Sequence, residues 1–546
     1  MTVGNDSIHV ASTVGETAPP ATDIKTQDSL QIEESHVLQA RKIGVFGAIS
    51  LVVNKIIGAG VFSTPATIFK HSGSVGMALI IWVIAGLLST CGALIMLELG
   101  TSIPRTGGMK VYLETAFSPK LLVTCIYLFY SEVDQPEVSA SNAITTSSYL
   151  LKAAGVASTT WRLRGLAIAA CSFAVGVHAV WPQGGRKLQD VLSAVKLFVL
   201  FFVVCSGFAS LAGHRRVPDP HNFDISTSFQ GTVRSGYSIG TALLNAIFAF
   251  QGYDNVNTVL SEVKNPTRTL RIALPTAMAL ITVLYILANV AYFAAVPKAE
   301  FLHSDVTIAA SMFKNIFGDS AAITALPVLV AISALGHLLG VAFTVQPGSL
   351  GLSKLQSISN SPQALSLAAR VIQELGKDDI VPFPNLVMQN RPFRTPIVAL
   401  FVHLAVTIIF ICAPPAGEAF NFVVELSSYP TTVLMIATTI ALIKLRLVRH
   451  LESRPFSLHW VIVGFYLAGC LFLIVMPFVP PPANQSEGQL PYWLSPVVSL
   501  AVLALGFVYY GLRFSLLPRI FGYQLYPVGA ELADGSRVTR YRKTRK

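Results

Sequence analysis

Apolar runs, each about as long as a bilayer is thick, alternate with short polar segments along most of the chain. A helix needs about 20 residues to cross the hydrocarbon core of a membrane. We therefore predict an all-α polytopic membrane protein with 12 transmembrane helices. The runs lie near residues 43–68, 75–100, 120–151, 163–181, 190–212, 236–260, 272–296, 320–345, 396–413, 419–448, 458–479 and 490–513.

Composition agrees with this pattern, because a chain of 546 residues with 53% hydrophobic and only 12% charged residues is too apolar for a soluble protein. Residues 1–41 are polar and rich in Ser, Thr and acidic side chains, which predicts a disordered cytoplasmic tail. We expect no cleavable signal peptide, so the first span would itself act as the targeting signal.

A net charge of +11 could indicate nucleic-acid binding, but the positions of the charges indicate a topology instead. With the N-terminus inside, most Lys and Arg residues fall in cytoplasmic segments, as the positive-inside rule requires. Both termini are then cytoplasmic, and residues 514–546 form a basic tail. The sequon Asn484-Gln485-Ser486 falls in an external loop. We expect a bilayer as the environment and no nucleic-acid partner.

Cysteine, histidine and carboxylate residues form no cluster with the spacing of a metal site or a catalytic triad. We expect no metal, no cofactor and no catalytic residues, and therefore no enzyme. The six cysteines lie within apolar runs and are interpreted as packing residues: Cys91, Cys125, Cys171, Cys205, Cys412 and Cys470.

The first apolar run contains Gly58-Ala59-Gly60 at its centre. Glycine weakens a helix interior, and irregular backbone at membrane depth is tolerated only where it lines a cavity. The amides of Ala59, Gly60 and Val61 would begin the next half-helix, a position that suits an anion such as a carboxylate. The alternative is a seam of small residues for helix packing.

The sixth run is interrupted by the polar stretch 251–255, in which Asp254 is placed to cap a restarting helix. Paired interruptions in corresponding spans are typical of transporters built from inverted repeats. We predict a 5+5 inverted-repeat fold with discontinuous helices 1 and 6. The repeats cover 42–212 and 236–449, the latter with an insertion at 347–368, and helices 11 and 12 cover 458–513. Carbonyls that end the first half of span six oppose the amides of span one, so the pocket fits a zwitterion.

Three segments, 54–65, 103–108 and 261–268, resemble fungal amino-acid permeases of the methionine-permease type. Those proteins belong to the L-type branch of the amino acid-polyamine-organocation superfamily. The similarity extends to 371–375, 413–415 and 537–541. The resemblance implies import of neutral L-amino acids, methionine foremost, coupled to protons. It implies a location in the plasma membrane, with the vacuolar membrane as the alternative.

The resemblance also implies which residues bind the substrate. The carboxylate would lie on the amides around Gly60, the amine on carbonyls near Ile57 and Phe248, and the side chain against the second interruption. Most members of the family carry Ser or Thr where this chain has Ala59, so one hydroxyl contact is missing. The predicted substrate-binding residues are Ile57, Gly58, Ala59, Gly60, Val61, Phe248, Phe250, Gln251, Gly252, Tyr253 and Asp254. Asp254 also has a purely structural interpretation as a helix cap.

Lys196 lies inside the apolar fifth run, where a charge costs at least about 2.5 kcal/mol and needs a partner. In relatives a lysine at this point takes the place of a sodium ion, so the resemblance implies that Lys196 couples protons to transport. The alternative is a static lysine bonded to carbonyls of the broken first span.

Two segments depart from the family. Residues 132–137 place three acids and a proline at membrane depth, which indicates a proton pathway, a water-facing kink or an error in the gene model. Residues 347–368 indicate a tolerated loop insertion or a retained intron. Mammalian L-type relatives join a heavy chain through a cysteine after span three; residues 152–164 contain none, so no disulfide-linked partner is expected.

Two other functions remain open at this point. The chain could be a receptor that binds amino acids without moving them, or an exchanger that swaps one amino acid for another. The short tails argue weakly against a receptor, and nothing in the sequence separates net uptake from exchange.

Overall fold

The computed structural model describes residues 43–545 apart from 305, 319–321, 345–396, 416–417, 449–453, 483–489 and 532–536. The predicted tail 1–41, the insertion 347–368 and the sequon at 484–486 lie outside the described residues. The chain is mostly helical, and its helices run in this order: α1 Val45–Ile56, α2 Gly60–Ser63, α3 Pro65–Ser72, α4 Val75–Ser102, α5 Met109–Ala116, α6 Lys120–Ala153, α7 Thr160–Val180, α8 Pro182–Leu211, α9 Gly236–Ala249, α10 Pro266–Ala295, α11 Lys298–His303, α12 Ile308–Phe317, α13 Ala322–Thr344, α14 Ile397–Cys412, α15 Ala419–Leu447, α16 Trp460–Val475, α17 Leu494–Tyr510 and α18 Leu517–Ile520.

Nine helical segments in the described part of the chain are long and apolar enough to cross a membrane. The predicted runs 236–260 and 396–413 coincide with two shorter apolar helices, Gly236–Ala249 and Val398–Cys412. The third predicted run coincides with α6, whose 34 residues include several polar side chains. The protein is therefore a polytopic membrane protein, and the full number of twelve crossings stays a prediction.

The first apolar run is divided among three helices. After α1, Ile57 has an extended backbone (φ −71°, ψ 102°), and helical geometry resumes at Ala59. A third helix, α3, then begins at Pro65. Proline favours the first position of a helix because it lacks an amide proton and its φ is fixed. Helix α3 ends at Gly73, which adopts φ +73°, a left-handed conformation that glycine reaches without strain.

The sixth run also changes geometry near its centre. Helix α9 ends at Ala249, and Gly252 turns the chain with φ +112°. A 3-10 segment, Tyr253–Glu262, then leads to α10. Since a non-glycine residue is strained at such a φ, Gly252 is the position that permits this turn.

Helix α6 runs through the interior and packs against α13, α17, α7, α15 and α14. Pro136 lies inside this helix, which continues on both sides of it. An aromatic cluster packs beside the second interruption, where the ring of Phe250 lies 5.0 Å from Tyr285 and 6.0 Å from Trp82. All three side chains are fully buried. They fix the end of α9 against α4 and α10.

The ends of the first and sixth runs are joined by main-chain hydrogen bonds. Ile43 and Val263 form an isolated parallel bridge. The amide of Ile43 donates to the carbonyl of Glu262 (2.9 Å), and the amide of Lys264 donates to the carbonyl of Ile43 (2.8 Å). The segment before α1 and the segment before α10 are thereby held side by side.

The tail after α18 contains strand β1, Tyr523–Glu531, which pairs with strand β2, Arg537–Arg545. The two strands are antiparallel, with Tyr523 opposite Arg545 and Pro527 opposite Tyr541. The ring of Tyr541 also contacts Phe514, at 5.6 Å between centroids. The prediction of an all-α chain is corrected at this point. Neither strand shows the alternation of apolar and polar side chains that marks a strand, because β1 contains Pro527 and Gly529 and β2 is dense in basic residues.

Candidate functional site

A cavity lies between the two interruptions, with a volume of about 150 Å³. One wall is the turn after α1, and the opposite wall is the turn after α9. Helices α4, α5, α6, α13, α15 and α16 complete the lining. Its polar groups come mainly from α6 and from the two turns, whereas Leu88, Ile247, Met435 and Leu473 give it apolar surface.

The two interruptions touch each other at Gly60 and Ala249. A Cβ atom placed on Gly60 would lie 2.7 Å from both the Cα and the Cβ of Ala249. Only a residue without a side chain allows the start of α2 to approach the end of α9 this closely. Gly60, which its sequence context predicts to break the helix, is thus also a point of close packing.

Three carbonyls at the end of α1 or directly after it are bonded to side chains from three different helices. Lys196 of α8 donates to the carbonyl of Asn54. The hydroxyl of Tyr285 on α10 donates to Ile56 at 3.1 Å, and Nδ1 of His337 on α13 lies 3.1 Å from the carbonyl of Ile57. The last carbonyls of a helix have no partner within the helix, so these side chains take that role.

The amides that begin α2 face helix α6. The side-chain oxygen Oδ1 of Asn142 accepts a hydrogen bond of 3.1 Å from the amide of Ala59. Two further contacts tie the same short helix to α6. The hydroxyl of Tyr149 donates to the carbonyl of Phe62 at 3.1 Å. The hydroxyls of Ser63 and Thr145 are 3.0 Å apart.

Three hydrogen-bonded side chains, a lysine, a glutamine and an aspartate, lie at one side of the cavity. Lys55 Nζ donates to Gln135 Oε1 at 3.3 Å, and Gln135 Nε2 donates to Asp134 Oδ2 at 2.6 Å. The glutamine amide therefore bridges a cation and a carboxylate. Asp254, from the second interruption, lines the same cavity. The aliphatic part of Lys55 packs on Gly252, where an added Cβ would lie 2.6 Å from Lys55 Cγ.

Gln251 carries an unused donor into this cavity. Its Oε1 accepts a hydrogen bond of 3.3 Å from the hydroxyl of Ser427. Its Nε2 is buried and has no hydrogen-bond partner among the described residues. A buried amide nitrogen without an acceptor is unfavourable, so a molecule in the cavity that presents an acceptor would be stabilised there.

Eight of the eleven predicted substrate-binding residues line the cavity. They are Gly58, Ala59, Gly60, Phe248, Gln251, Gly252, Tyr253 and Asp254. The other three, Ile57, Val61 and Phe250, are buried next to it, and the ring of Phe250 faces the aromatic cluster of α4 and α10. Lys196 also lies outside the lining, at the carbonyl of Asn54.

Asn142 and His337 could not be identified from the sequence, and for the segment 132–137 three interpretations stayed open. Asn142 is one of many small polar residues in α6, and nothing near it in the sequence marks it. Asp134 and Gln135 did stand out as polar residues at membrane depth, and the structure places both in the lining. Glu137 is fully buried, and neither of its carboxylate oxygens has a hydrogen-bond partner among the described residues.

Comparison with known proteins agrees with this geometry. The sequence model of the family described as "Amino acid permease" matches residues 43–503. The chain is 35% identical over 497 residues to the high-affinity methionine permease of Saccharomyces cerevisiae. The aligned region covers 89% of this chain and 81% of that protein.

Two further relatives are more distant. The low-affinity methionine permease of Saccharomyces cerevisiae is 28% identical over 513 residues, which is 93% of this chain and 88% of that protein. The b(0,+)-type amino acid transporter 1 of Mus musculus is 29% identical over 470 residues, which is 84% of this chain and 87% of that protein. These names describe permeases and transporters, not enzymes.

Proposed function

Because the chain belongs to the amino acid permease family, we propose that it is a secondary active transporter that imports neutral L-amino acids, with methionine as its leading substrate. The observation that carries this proposal is that both helix interruptions line one cavity. The names of the two yeast relatives favour methionine within that class. The proposed location is the plasma membrane, with both termini cytoplasmic and no disulfide-linked heavy chain.

The proposed architecture has twelve crossings in two inverted repeats of five, followed by two more helices. Helices α1 to α3 make up the first span, and α9 with the 3-10 segment makes up the sixth. The repeats cover 42–212 and 236–449, and the last two spans cover 458–513. The ends of α1 at Ile56 and of α9 at Ala249 support discontinuous first and sixth spans.

In the proposed complex the substrate carboxylate accepts hydrogen bonds from amides at the start of α2, at Ala59, Gly60 and Val61. The first amides of a helix have no acceptor within the helix and carry partial positive charge. The ammonium group lies against the carbonyls of Ile57 and Phe248. Each carbonyl oxygen has two lone pairs, so the bond that His337 makes to Ile57 leaves room for a second donor.

The substrate side chain then extends toward the second interruption, between Gln251 and Tyr253. The unpaired Nε2 of Gln251 supports this direction, because a thioether sulfur is a weak acceptor that suits a neutral amide donor. Leu88, Met435 and Leu473 supply apolar contact for the methylene groups.

Transport would proceed by alternating access, in which the two interrupted spans change position around the bound substrate. We propose that Lys196 carries the coupling proton. Its bond to the carbonyl of Asn54 supports this role, since a charge-assisted hydrogen bond between α8 and the end of α1 weakens when the lysine is neutral.

The direct test is accumulation of labelled methionine by vesicles that contain the purified full-length chain. We expect accumulation above the outside concentration when the outside is more acidic than the inside, and loss of it when a protonophore collapses the gradient. Counts that remain bound without accumulating would indicate a receptor. Uptake that requires an amino acid inside the vesicle would indicate an exchanger.

A further inference from the structure

We propose that Asn142 is a positioning residue that holds the first interruption in the empty carrier and gives up its place to the substrate carboxylate. This inference rests on the proposed function, because it names the group that the substrate replaces at the same site. The bond from the Ala59 amide to Asn142 Oδ1, 3.1 Å long, lies where the carboxylate would bind.

The amide of Ala59 has one proton, and Asn142 already uses it. Both residues are 1% exposed, so water has little access to this bond. A carboxylate can take the amide only if the asparagine oxygen leaves it. The carbonyl of Ile57 differs in this respect, because an oxygen with two lone pairs can keep His337 and accept the ammonium as well.

The orientation of the Asn142 amide is fixed by its two neighbours. The Ala59 amide is a donor and requires the oxygen of Asn142, while Nδ2 of Asn142 donates to the carbonyl of Val138 at 2.7 Å. The side chain is therefore an acceptor toward the cavity. After displacement, its oxygen needs a new donor, because a buried acceptor without one is unfavourable.

A zwitterion supplies what the displaced asparagine needs. Its carboxylate replaces Asn142 on the Ala59 amide, and its ammonium group donates to the released Oδ1. A carboxylic acid without the amine takes the amide but leaves the asparagine oxygen unpaired. The residue would thus select α-amino acids over acids that lack the amino group, in addition to any direct contact with backbone carbonyls.

The position of Asn142 also links substrate binding to the interrupted helix. Asn142, Thr145 and Tyr149 lie on one face of α6 and hold Ala59, Ser63 and Phe62, respectively. Binding would exchange the first of these three ties for a contact with the substrate. The short helix α2 would then be held to α6 by two direct ties and the ligand.

The test is equilibrium competition for labelled methionine on the purified full-length chain, with unlabelled methionine and with its amine-free analogue, 4-(methylthio)butanoate. Asn142→Leu keeps the branching and the number of heavy atoms of the side chain but removes its polar atoms, and Asn142→Ala is a second variant with a smaller side chain. We expect the analogue to compete roughly tenfold better on either variant than on the unsubstituted chain, because it no longer leaves an asparagine oxygen unpaired.

The ratio of the two inhibition constants separates this role from a structural one. Loss of packing alone would weaken methionine and the analogue together, and the ratio would stay unchanged, which would overturn the proposal. A direct contact between Asn142 and the ammonium alone would weaken methionine and leave the analogue unchanged, which would also overturn it. Thr145→Val removes the neighbouring tie and is expected to leave the ratio as it is.

This experiment reads binding and not transport, so it separates the inference from the proposed function. Methionine that binds but does not accumulate in vesicles would contradict the transporter proposal and leave the competition result valid. If methionine accumulates in vesicles but the analogue competes no better on the Asn142 variants than on the unsubstituted chain, only the role of Asn142 is contradicted.

Discussion

Gly60 and Ala249 touch where the two interrupted helices meet, and no side chain fits between them. The contact joins the start of α2 to the end of α9. Backbone groups from both interruptions therefore face one small volume, where they can act on the two ends of the same molecule. Several variants of the chain test whether this arrangement has the proposed function.

Replacing Gly60 with Ala is expected to reduce methionine affinity at least about tenfold, because the new methyl group would lie 2.7 Å from Ala249 and force the interruptions apart. Competition binding on the purified chain measures the effect. Gly165→Ala is the matched control, since nothing lies within 4 Å of a Cβ at that helical position. Equal affinity in both variants would show that the contact is not needed.

Replacing Gly252 with Ala is expected to impair uptake more than backbone strain alone explains. The new Cβ would lie 2.6 Å from Lys55 Cγ, in addition to the strain of a residue at φ +112°. Gly155→Ala provides the control, because Gly155 also has a positive φ (+63°) but no atom within 4 Å of the added Cβ. If the two variants lose uptake equally at equal surface expression, the Lys55 contact has no functional role.

The substitution Lys55→Met would leave the carboxylates of Asp134 and Asp254 in the cavity lining without the positive charge of the lysine. Truncating one partner of a buried ionic group typically costs about 3–5 kcal/mol. We therefore expect Lys55→Met to lower the thermal stability of the purified chain. The double variant Lys55→Met, Asp134→Asn should recover part of the lost stability, because one of the two carboxylates left without the lysine is then neutral. A strictly additive loss in the double variant would argue against coupling of these residues.

The prediction for Lys196 concerns coupling and not binding. Lys196→Met removes the bond to the Asn54 carbonyl together with the only charge that this side chain can carry. We expect methionine accumulation driven by a pH gradient to fall to the level without a gradient, while exchange of labelled for unlabelled methionine continues. Accumulation that still follows the gradient would assign Lys196 a static role.

A buried ion pair away from the cavity offers a test of stability. Arg446 forms a two-pronged contact with Glu98, with Nε 2.8 Å from Oε1, and also donates to the carbonyl of Leu458 at 2.8 Å. Both charged side chains are at most 6% exposed. Arg446→Leu is expected to lower the free energy of unfolding by about 3–5 kcal/mol, because it leaves the buried Glu98 carboxylate without its cation. The double variant with Glu98→Leu should recover part of this loss, and no recovery would contradict the pairing account.

The ends of two helices could be predicted from the sequence, because glycine and polar residues inside apolar runs act on the local backbone. Helix α1 ends at Ile56 and helix α9 at Ala249, each directly before such residues. Gly58, Gly60 and Gly252 are examples. Lys196 could also be singled out, since a charge in an apolar helix needs a partner. Its Nζ donates to a carbonyl of the first span, a contact that is compatible with both the coupling role and the static role.

The partners of those interruptions could not be predicted. Asn142 and His337 reach Ala59 and Ile57 only because α6 and α13 pack beside the first span. Such contacts depend on the rotation of each helix about its axis, which apolar runs without a clear polar face do not determine. Helix α4 and helix α13 illustrate this, since both are apolar nearly all round.

The acidic segment of α6 shows a different limit. Asp134 and Gln135 were unusual enough to be noticed, but sequence alone did not tell a functional group from an error in the gene model. The structure places them next to Lys55, whose charge provides a reason for an acid at this depth. The strands β1 and β2 could not be predicted, because β1 contains Pro527 and Gly529, which strands disfavour, and β2 is dense in basic residues.

The central claim is that methionine occupies the volume between the two interruptions. Thiol labelling tests it most directly, with Ala59→Cys and Gln251→Cys made separately in a background that carries Cys470→Ser and Cys205→Ser, because Cys470 lines the cavity and Cys205 is exposed. Gly155→Cys is the control outside the cavity. We predict that methionine slows labelling at positions 59 and 251 with the same concentration dependence and leaves position 155 unaffected. Labelling at both cavity positions that methionine does not change would contradict the account.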